Sequence, residues 1–134
     1  MRPEFQHPLD PLFNTKNIAV FGASDNPDHI GHHILSNLLK GGFAGQVFAI
    51  NPKYKIVQNI PSHADLTLIE NAIDLALICT PPKRLRTILA QCEKHGVLHA
   101  VIFQHPSQKA QDPHVDRVVK HSTMRILGPN SVGL

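Results

Sequence analysis

The sequence predicts an α/β fold in which a parallel sheet carries helices on both of its faces. Short apolar runs alternate with segments whose apolar residues recur at helical spacing, which is typical of repeated strand–helix units. The apolar run from Ile73 to Cys79 is nearly continuous, as in a strand that is buried on both faces. A chain of 134 residues is long enough for one domain with a substantial hydrophobic core.

The predicted elements follow one another in a regular order. Strands are predicted over residues 17–21, 46–50, 73–79, 100–103 and 125–127, with a short strand or extended segment over 56–61 and a polar turn at Ser62-His63. Helices are predicted over residues 30–40, 65–71, 84–95 and 112–122. Gly41-Gly42 and Gly96 follow two of these helices, and glycine there accepts the left-handed conformation that ends a helix. Residues 1–14 are expected to form an extended lead-in to a domain over residues 15–134.

The first strand–turn–helix unit, Lys16 to Leu39, organises the rest of the chain. Its strand ends at Gly22-Ala23-Ser24, and a polar loop with Asn26 and Pro27 leads to Gly31 in the amphipathic helix. Such a turn presents backbone N–H groups at a helix N-terminus, which is a favourable place for a phosphate group. A tight strand–helix turn also needs glycine for conformational reasons alone, so this turn by itself leaves a structural role open.

Five turns follow the carboxyl ends of predicted strands, which gather at one edge of a parallel sheet. They are Gly22-Ala23-Ser24, Asn51-Pro52-Lys53, Thr80-Pro81-Pro82, Gln104-His105-Pro106 and Gly128-Pro129-Asn130. Ligands of open α/β sheets bind at this edge, so the convergence of the turns favours a nucleotide-like ligand.

The second of these turns indicates which kind of nucleotide would fit the site. The segment from Gly22 to Gly31 is longer than the G-x-G-x-x-G fingerprint, and Lys53 stands where an NAD site has Asp or Glu for the ribose hydroxyls. A cation there suits a phosphorylated ribose, such as that of NADP or the 3′-phosphate of coenzyme A (CoA). A solvated surface lysine in an Asn-Pro turn is the structural alternative.

A specific combination of segments then points to a family. The segments are NIAVFGAS, the later Gly31, NLLKGGFAGQVFAINPK, IDLALICTPP and LGPNSVGL. Together they resemble the CoA-binding domain of NDP-forming acyl-CoA synthetases, which include the succinyl-CoA synthetase α-subunit, and the resemblance covers Leu12 to Leu134. The ending MRILGPNSVGL, and the absence of a Ser-Ala-Gly-Phe turn after the fifth strand, resemble more the Pat-type bacterial protein lysine acetyltransferases. In those proteins a synthetase-like region is fused to a GNAT acetyltransferase domain.

The resemblance implies a Rossmann-like sheet and a role for each turn. The resemblance implies that the diphosphate contacts Gly22, Ala23, Ser24, Asn26, Pro27 and Gly31, and that the 3′-phosphate contacts Pro52 and Lys53. It implies that the adenine or the pantetheine arm contacts Thr80, Pro81 and Pro82, and that the thiol end contacts Pro129 and Asn130. Gln104-His105-Pro106 replaces the Ser-Ala-Gly turn of active synthetases, which argues against the acyl-phosphate half of their reaction. The phosphorylated histidine of active members lies in another domain, so no histidine here takes that role.

Composition and the remaining reactive residues narrow the alternatives. A net charge of +3 with dispersed basic residues, and aromatic residues limited to six Phe and one Tyr, argue against a nucleic-acid surface. The chain shows no signal peptide and no apolar run of about 18 residues, so a soluble cytoplasmic protein without membrane contact is predicted. His29, His32 and His33 have no carboxylate or cysteine at a spacing that would complete a metal site. Cys79 and Cys92 are expected to be structural thiols.

These observations favour a domain that binds CoA or an acyl-CoA. We expect the domain to be excised from a longer chain, either an acyl-CoA synthetase, which is a ligase, or a protein lysine acetyltransferase, and to contact further domains of that chain. An NADP-binding oxidoreductase domain and an interaction module without a ligand are the alternatives. The sequence shows no paired carboxylates, Ser-His-Asp set or Cys-His dyad at useful positions, so no catalysis is expected from this segment alone.

Overall fold

The computed structural model describes residues 16–103 and 124–127. A seven-stranded sheet forms its centre, in the order β3-β4-β2-β1-β5-β6-β7. The strands are β1 (Asn17–Phe21), β2 (Gln46–Ile50), β3 (Ile56–Val57), β4 (Ile60–His63), β5 (Leu75–Ile78), β6 (His99–Ile102) and β7 (Arg125–Leu127). Every neighbouring pair is parallel except β3 and β4, which form an antiparallel hairpin. The predicted α/β, Rossmann-like fold is therefore confirmed.

In the described part of the chain, two α-helices cover opposite faces of the sheet: α1 (Ile30–Lys40) and α2 (Pro82–His95). Side chains of a strand alternate between its faces, and the core divides accordingly into two apolar clusters. Leu35 of α1 packs in a cluster with Ile18 and Val20 of β1. Leu85 and Leu89 of α2 pack in the other cluster, with Ala19 and Phe21 of the same strand. Burial on both faces explains why the central strands are almost wholly apolar.

Both helices end at the predicted glycines, but at the end of α1 the second glycine of the pair has the left-handed conformation. Gly96 ends α2 at φ +84°, and the N–H of Val97 donates to the carbonyl of Cys92 at 3.0 Å, as expected for a left-handed helix end. At the end of α1, Gly41 has φ −83° and it is Gly42 that takes the left-handed conformation, at φ +76°. None of the described helices is long and apolar enough to cross a membrane.

The segment after β2 differs from its prediction. Ser62 and His63 were expected in a polar turn, but they belong to β4, where they pair in parallel with Ala49 and Ile50 of β2. The turn lies earlier, at Gln58-Asn59, where both residues have positive φ (49° and 67°), as a two-residue type I′ hairpin turn requires. Pairing with β2 decides the strand here, and that pairing is not visible in the local sequence.

The helix predicted over residues 65–71 is also wrong in extent. Only a 3-10 turn forms, Leu66–Leu68, and the Asp65 carboxylate accepts the N–H of Thr67 at 2.9 Å at its start. Ile69 is already extended and buried, because the chain must enter the core there on its way to β5. The lead-in over residues 1–14, the helix predicted over 112–122, and the turns at 104–106 and 128–130, which include Pro129 and Asn130, lie outside the described residues.

Candidate nucleotide-binding cleft

A cleft of about 870 Å³ opens where β1, β2 and β5 end, which is within the usual size range of small-molecule sites. Its wall contains Gly22, Pro52, Lys53, Thr80 and Pro81 from the three predicted turns that the structure describes. The parallel sheet therefore brings these turns to one cavity, as the sequence predicted. The other predicted residues of the first turn, namely Ala23, Ser24, Asn26, Pro27 and Gly31, do not line this cleft.

Two glycines allow the first turn to close tightly. Gly22 has φ +83° and donates its N–H to the carbonyl of Ile50 at 2.9 Å, while a Cβ on it would lie 2.8 Å from the Cys79 carbonyl oxygen. Gly31 is buried in the first turn of α1, and a Cβ there would lie 1.9 Å from the Gly22 carbonyl oxygen. Neither approach leaves room for a side chain, so these glycines set the distance between β1, β5 and α1.

The N-terminus of α1 faces this cleft. Ile30, the first helical residue, and His29, the residue before it, both line the cavity, and no side chain of the described residues caps the helix start. The first N–H groups of a helix have no partner within it, and they carry roughly half a positive charge. This end of the cleft therefore suits an anion, although the carboxylate of Asp28, also at the wall, opposes one.

The loop between Gly22 and α1 is organised by its own side chains. The Ser24 side chain is only 2% exposed, and its hydroxyl oxygen accepts the N–H of Asn26 at 2.9 Å and is hydrogen-bonded to Nδ1 of His29 at 2.8 Å. The Asn26 side-chain oxygen in turn accepts the N–H of Asp28 at 2.9 Å. These bonds determine the path of the backbone beside the cleft, and a contact of Ser24 or Asn26 with a ligand stays a prediction.

The three histidines of this region also bond to the loop. Nδ1 of His32 donates to the Ser24 carbonyl at 3.2 Å, and Nε2 of His33 donates to the Pro27 carbonyl at 2.6 Å. Across residues 16–103 and 124–127, no group of three or more His, Cys, Asp or Glu side chains is arranged to hold a metal ion. The histidine spacing thus serves the loop in this structure.

Asn51, which sequence reasoning treated only as part of a turn, connects the second turn to the first. Its side-chain N–H donates to the Ala23 carbonyl at 2.8 Å, and its side-chain oxygen accepts the N–H of Lys53 at 2.9 Å. An Asn that bonds its own backbone two residues on is a common turn device, so the Asn-Pro pair was the available signal. The contact places the backbone of Lys53 relative to the first turn, while its exposed side chain lies at the cleft wall.

The third turn offers a polar group without a partner. Thr80 Oγ1 is buried, and in the described part of the chain it is the only buried side-chain nitrogen or oxygen atom that lacks a hydrogen bond. An unpaired buried hydroxyl is unfavourable by about 1–3 kcal/mol, which a ligand atom at the adjacent wall would offset. Pro81 precedes α2 and lines the same wall.

Two further cations that the sequence analysis did not single out line the cleft at the start of the second helix. α2 starts at Pro82 rather than at residue 84, since Pro is readily accepted in a first helical turn. Lys83 and Arg84 are exposed, lie in this turn and line the cleft with Lys53. Cations near a helix N-terminus oppose the helix dipole. The first turn of α2 contains no acidic residue that would offset these cations.

Cys79 lines the cleft, but its chemistry is that of an inert thiol. Burial raises the pKa of Cys79 to about 12, and it does the same for Cys92 in the core. Because the thiolate is the nucleophile, neither cysteine reacts readily at neutral pH. This agrees with the structural role expected from the sequence.

A thiol-reactivity measurement checks this conclusion. At pH 8 the folded chain is expected to react with an aromatic disulfide reagent far more slowly than the chain in denaturant, where both thiols regain an ordinary pKa near 9. The variant Cys92→Ala isolates Cys79. Rapid modification of Cys79 in that variant, with its circular dichroism spectrum unchanged, would contradict the inert assignment.

Known proteins match this chain over most of its length. Residues 16–134 match the family model of the CoA binding domain. The chain is 33% identical over 132 residues to the α-subunit of ADP-forming acetate–CoA ligase II of Pyrococcus furiosus, covering 94% of this chain and 29% of the relative. It is 30% identical over 132 residues to ADP-forming acetate–CoA ligase II of Archaeoglobus fulgidus, covering 94% and 20%.

A solved structure shows the same fold at similar identity. The dinucleotide-forming acetyl-coenzyme A synthetase 1 of Ca. Korarchaeum cryptofilum, solved in complex with phosphate and ADP, superposes with a TM-score of 0.80 at 33% identity. The match covers 91% of this chain and 27% of that one, so the chain spans less than a third of each of these three relatives. The chain belongs to the family of CoA-binding domains found in NDP-forming acyl-CoA synthetases.

Proposed function

We propose that the cleft binds coenzyme A or an acyl-CoA, as the nucleotide-binding part of a longer protein that resembles NDP-forming acyl-CoA synthetases. The observation that carries the proposal is the meeting of the α1 N-terminus with Lys53, Lys83 and Arg84 around one cavity. CoA carries a diphosphate and a 3′-phosphate, so its anionic groups match both kinds of positive group.

The arrangement of the turns supports one orientation of the ligand. The diphosphate lies against Gly22 and the first N–H groups of α1, and the 3′-phosphate lies at Pro52 and Lys53. Thr80 and Pro81 contact the adenine or the pantetheine arm, with Pro82 following at the start of α2. Ala23, Ser24, Asn26, Pro27 and Gly31 act by shaping the phosphate-binding turn, and Pro129 and Asn130 are proposed for the thiol end.

The role of this domain is to bind and orient. Bound CoA supplies the thiol that accepts an acyl group. The residues of the cleft hold its phosphates at the sheet edge, and the walls shield part of it from water. The described residues offer no activated nucleophile, since the pKa of Cys79 is raised to about 12. Acyl activation is therefore assigned to other domains of the whole protein.

Two activities of the whole protein are consistent with such a domain. Acyl-CoA synthesis is favoured by the relatives, which are named as ADP-forming acetate–CoA ligases. Protein lysine acetylation is the second candidate, supported by the ending MRILGPNSVGL and by Gln104-His105-Pro106 in place of Ser-Ala-Gly. Assay of the whole protein for ADP-dependent ligation and for acetyl transfer to lysine separates the two.

Calorimetric titration tests the binding proposal. CoA and acetyl-CoA are expected to bind to the chain. NADP carries its ribose phosphate on the 2′-oxygen rather than the 3′-oxygen, so it is expected to lose the bond proposed for Lys53 and to bind at least about tenfold more weakly, since a charge-assisted hydrogen bond is worth about 1.5–3 kcal/mol. Tighter binding of NADP would favour an oxidoreductase domain. Absence of binding by all three ligands to the folded chain would favour an interaction module and overturn the proposal.

A further inference from the structure

The turn of the β3–β4 hairpin lies against the loop that precedes α1, although the two are far apart in the sequence. The backbone N–H of Gln58 donates to a carboxylate oxygen of Asp25 at 2.7 Å. Its side-chain amide donates to the carbonyl of Ser24 at 3.2 Å and to the carbonyl of His32 at 3.1 Å. One residue of the hairpin thus contacts both the loop and the first turn of the helix.

Gln58 holds this position in an unfavourable backbone conformation. Its φ is +49°, in the left-handed region, which is unfavourable for a residue other than glycine. Asn59, its neighbour in the turn, has φ +67° but is exposed and is one of the residues that tolerate this region. Glycine would satisfy the backbone at residue 58 without strain, so backbone geometry does not explain a glutamine there. Its side-chain contacts do.

Those contacts meet at the backbone that forms the proposed phosphate site. The carbonyl of Ser24 accepts from Gln58 and also from Nδ1 of His32. Because the side-chain amide of Gln58 bonds to the carbonyls of both Ser24 and His32, it keeps the loop against the helix. The N–H groups at the start of α1 then keep their direction into the cleft without a ligand. A site that is ordered in advance does not lose affinity to the entropy of ordering.

We propose that Gln58 is a positioning residue for the phosphate-binding turn. It does not line the cleft, and it acts by fixing the loop from Ser24 to His32 before the ligand arrives. The inference rests on the proposed function, because it assigns the affinity of the α1 N-terminus for phosphate partly to a side chain on a neighbouring hairpin.

The variant Gln58→Gly separates positioning from stability. Glycine removes the side-chain amide, retains the N–H that bonds Asp25, and relieves the left-handed backbone. The Tm is therefore expected to stay the same or rise, while CoA binds about five- to tenfold more weakly, which corresponds to one or two ordinary hydrogen bonds. A residue with a merely structural role would change Tm and affinity in the same direction.

Two more variants complete the test. Gln58→Met keeps the size of the side chain and the backbone strain but removes the donors, so it is expected to weaken CoA binding to a similar degree. Asn59→Gly relieves the other strained residue of the same turn and is expected to leave the affinity unchanged. If Gln58→Gly and Gln58→Met bind CoA as the wild type does, the inference is overturned.

Hydrogen exchange of the ligand-free chain distinguishes this failure from failure of the proposed function. Backbone amides from Ser24 to His32 are expected to exchange faster in Gln58→Gly than in the wild type, with exchange in β1 and β5 unchanged. Unchanged exchange across this loop would overturn the positioning role, even if CoA binds the wild type. If the wild type binds no CoA, the proposed function fails, while the exchange rates still decide whether Gln58 orders the loop.

Discussion

Gly31→Ala is expected to weaken CoA binding by about tenfold or more, since hydrogen bonds to a charged group are worth about 1.5–3 kcal/mol. A Cβ at residue 31 would lie 1.9 Å from the Gly22 carbonyl oxygen, whereas non-bonded atoms need about 3.5 Å. The obstacle is backbone and cannot rotate away. α1 must therefore retreat from the turn by more than an ångström, which withdraws its N–H groups from the phosphate.

The same change is expected to lower the free energy of unfolding by about 1–3 kcal/mol, as overpacking in a core does. Gly42→Ala is the matched control, because Gly42 also takes an added methyl group but has nothing within 4 Å of its Cβ position. Its cost comes only from φ +76°, and CoA affinity should not change. Thermal melting and titration of both variants measure the two effects. If Gly31→Ala matches the wild type in both, the tight turn has been wrongly assigned.

The central strands and helices were predictable because their signals are local. β1, α1 and β2 have the bounds that the apolar pattern predicted, 17–21, 30–40 and 46–50. α2 ends at Gly96 because glycine is free to adopt a positive φ, which is a property of that one residue. In these segments the periodicity of burial and the backbone preference of the flanking residues indicate the same structure.

The hairpin was not predictable in the same way. β3 and β4 are short, and Ser62 and His63 are polar, so nothing in their own pattern indicates a strand. They become strand because the edge of β2 offers hydrogen-bonding groups at Ala49 and Ile50. Such pairing is a property of the assembled sheet, and β propensity is accordingly sensitive to context.

In the site, too, some features could be predicted from the sequence and others depend on tertiary contacts. Topology alone brings Gly22, Lys53 and Thr80 to one cleft, since the ends of parallel strands share one edge of the sheet. The partners of individual side chains depend on distances that topology does not fix. The Ser24 hydroxyl therefore bonds within its loop, and Gln58 reaches that loop from a hairpin more than thirty residues away.

Lys53→Ala is expected to weaken binding of CoA about tenfold or more and to leave 3′-dephospho-CoA nearly unchanged, because a charge-assisted hydrogen bond is worth about 1.5–3 kcal/mol. The reason is the position of Lys53. It follows β2, on one side of β1, whereas the diphosphate is proposed to lie at the turn that follows β1 itself. Lys53 has no hydrogen-bonding or ion-pair partner for its side chain among the described residues, so it is available to a ligand phosphate.

The ratio of the two dissociation constants is the decisive quantity, because it cancels any general loss of positive charge. Lys55→Ala removes the same charge two residues away, from an exposed side chain that does not line the cleft, and should preserve the ratio. Arg84→Ala should weaken both ligands equally, since Arg84 follows β5 on the other side of β1 and lies nearer the diphosphate than Lys53 does in the proposed orientation. If the preference for CoA over 3′-dephospho-CoA is lost in Lys53→Ala and kept in the other two variants, this orientation is supported. Equal losses for both ligands in Lys53→Ala would place the 3′-phosphate elsewhere and give Lys53 only a general electrostatic role.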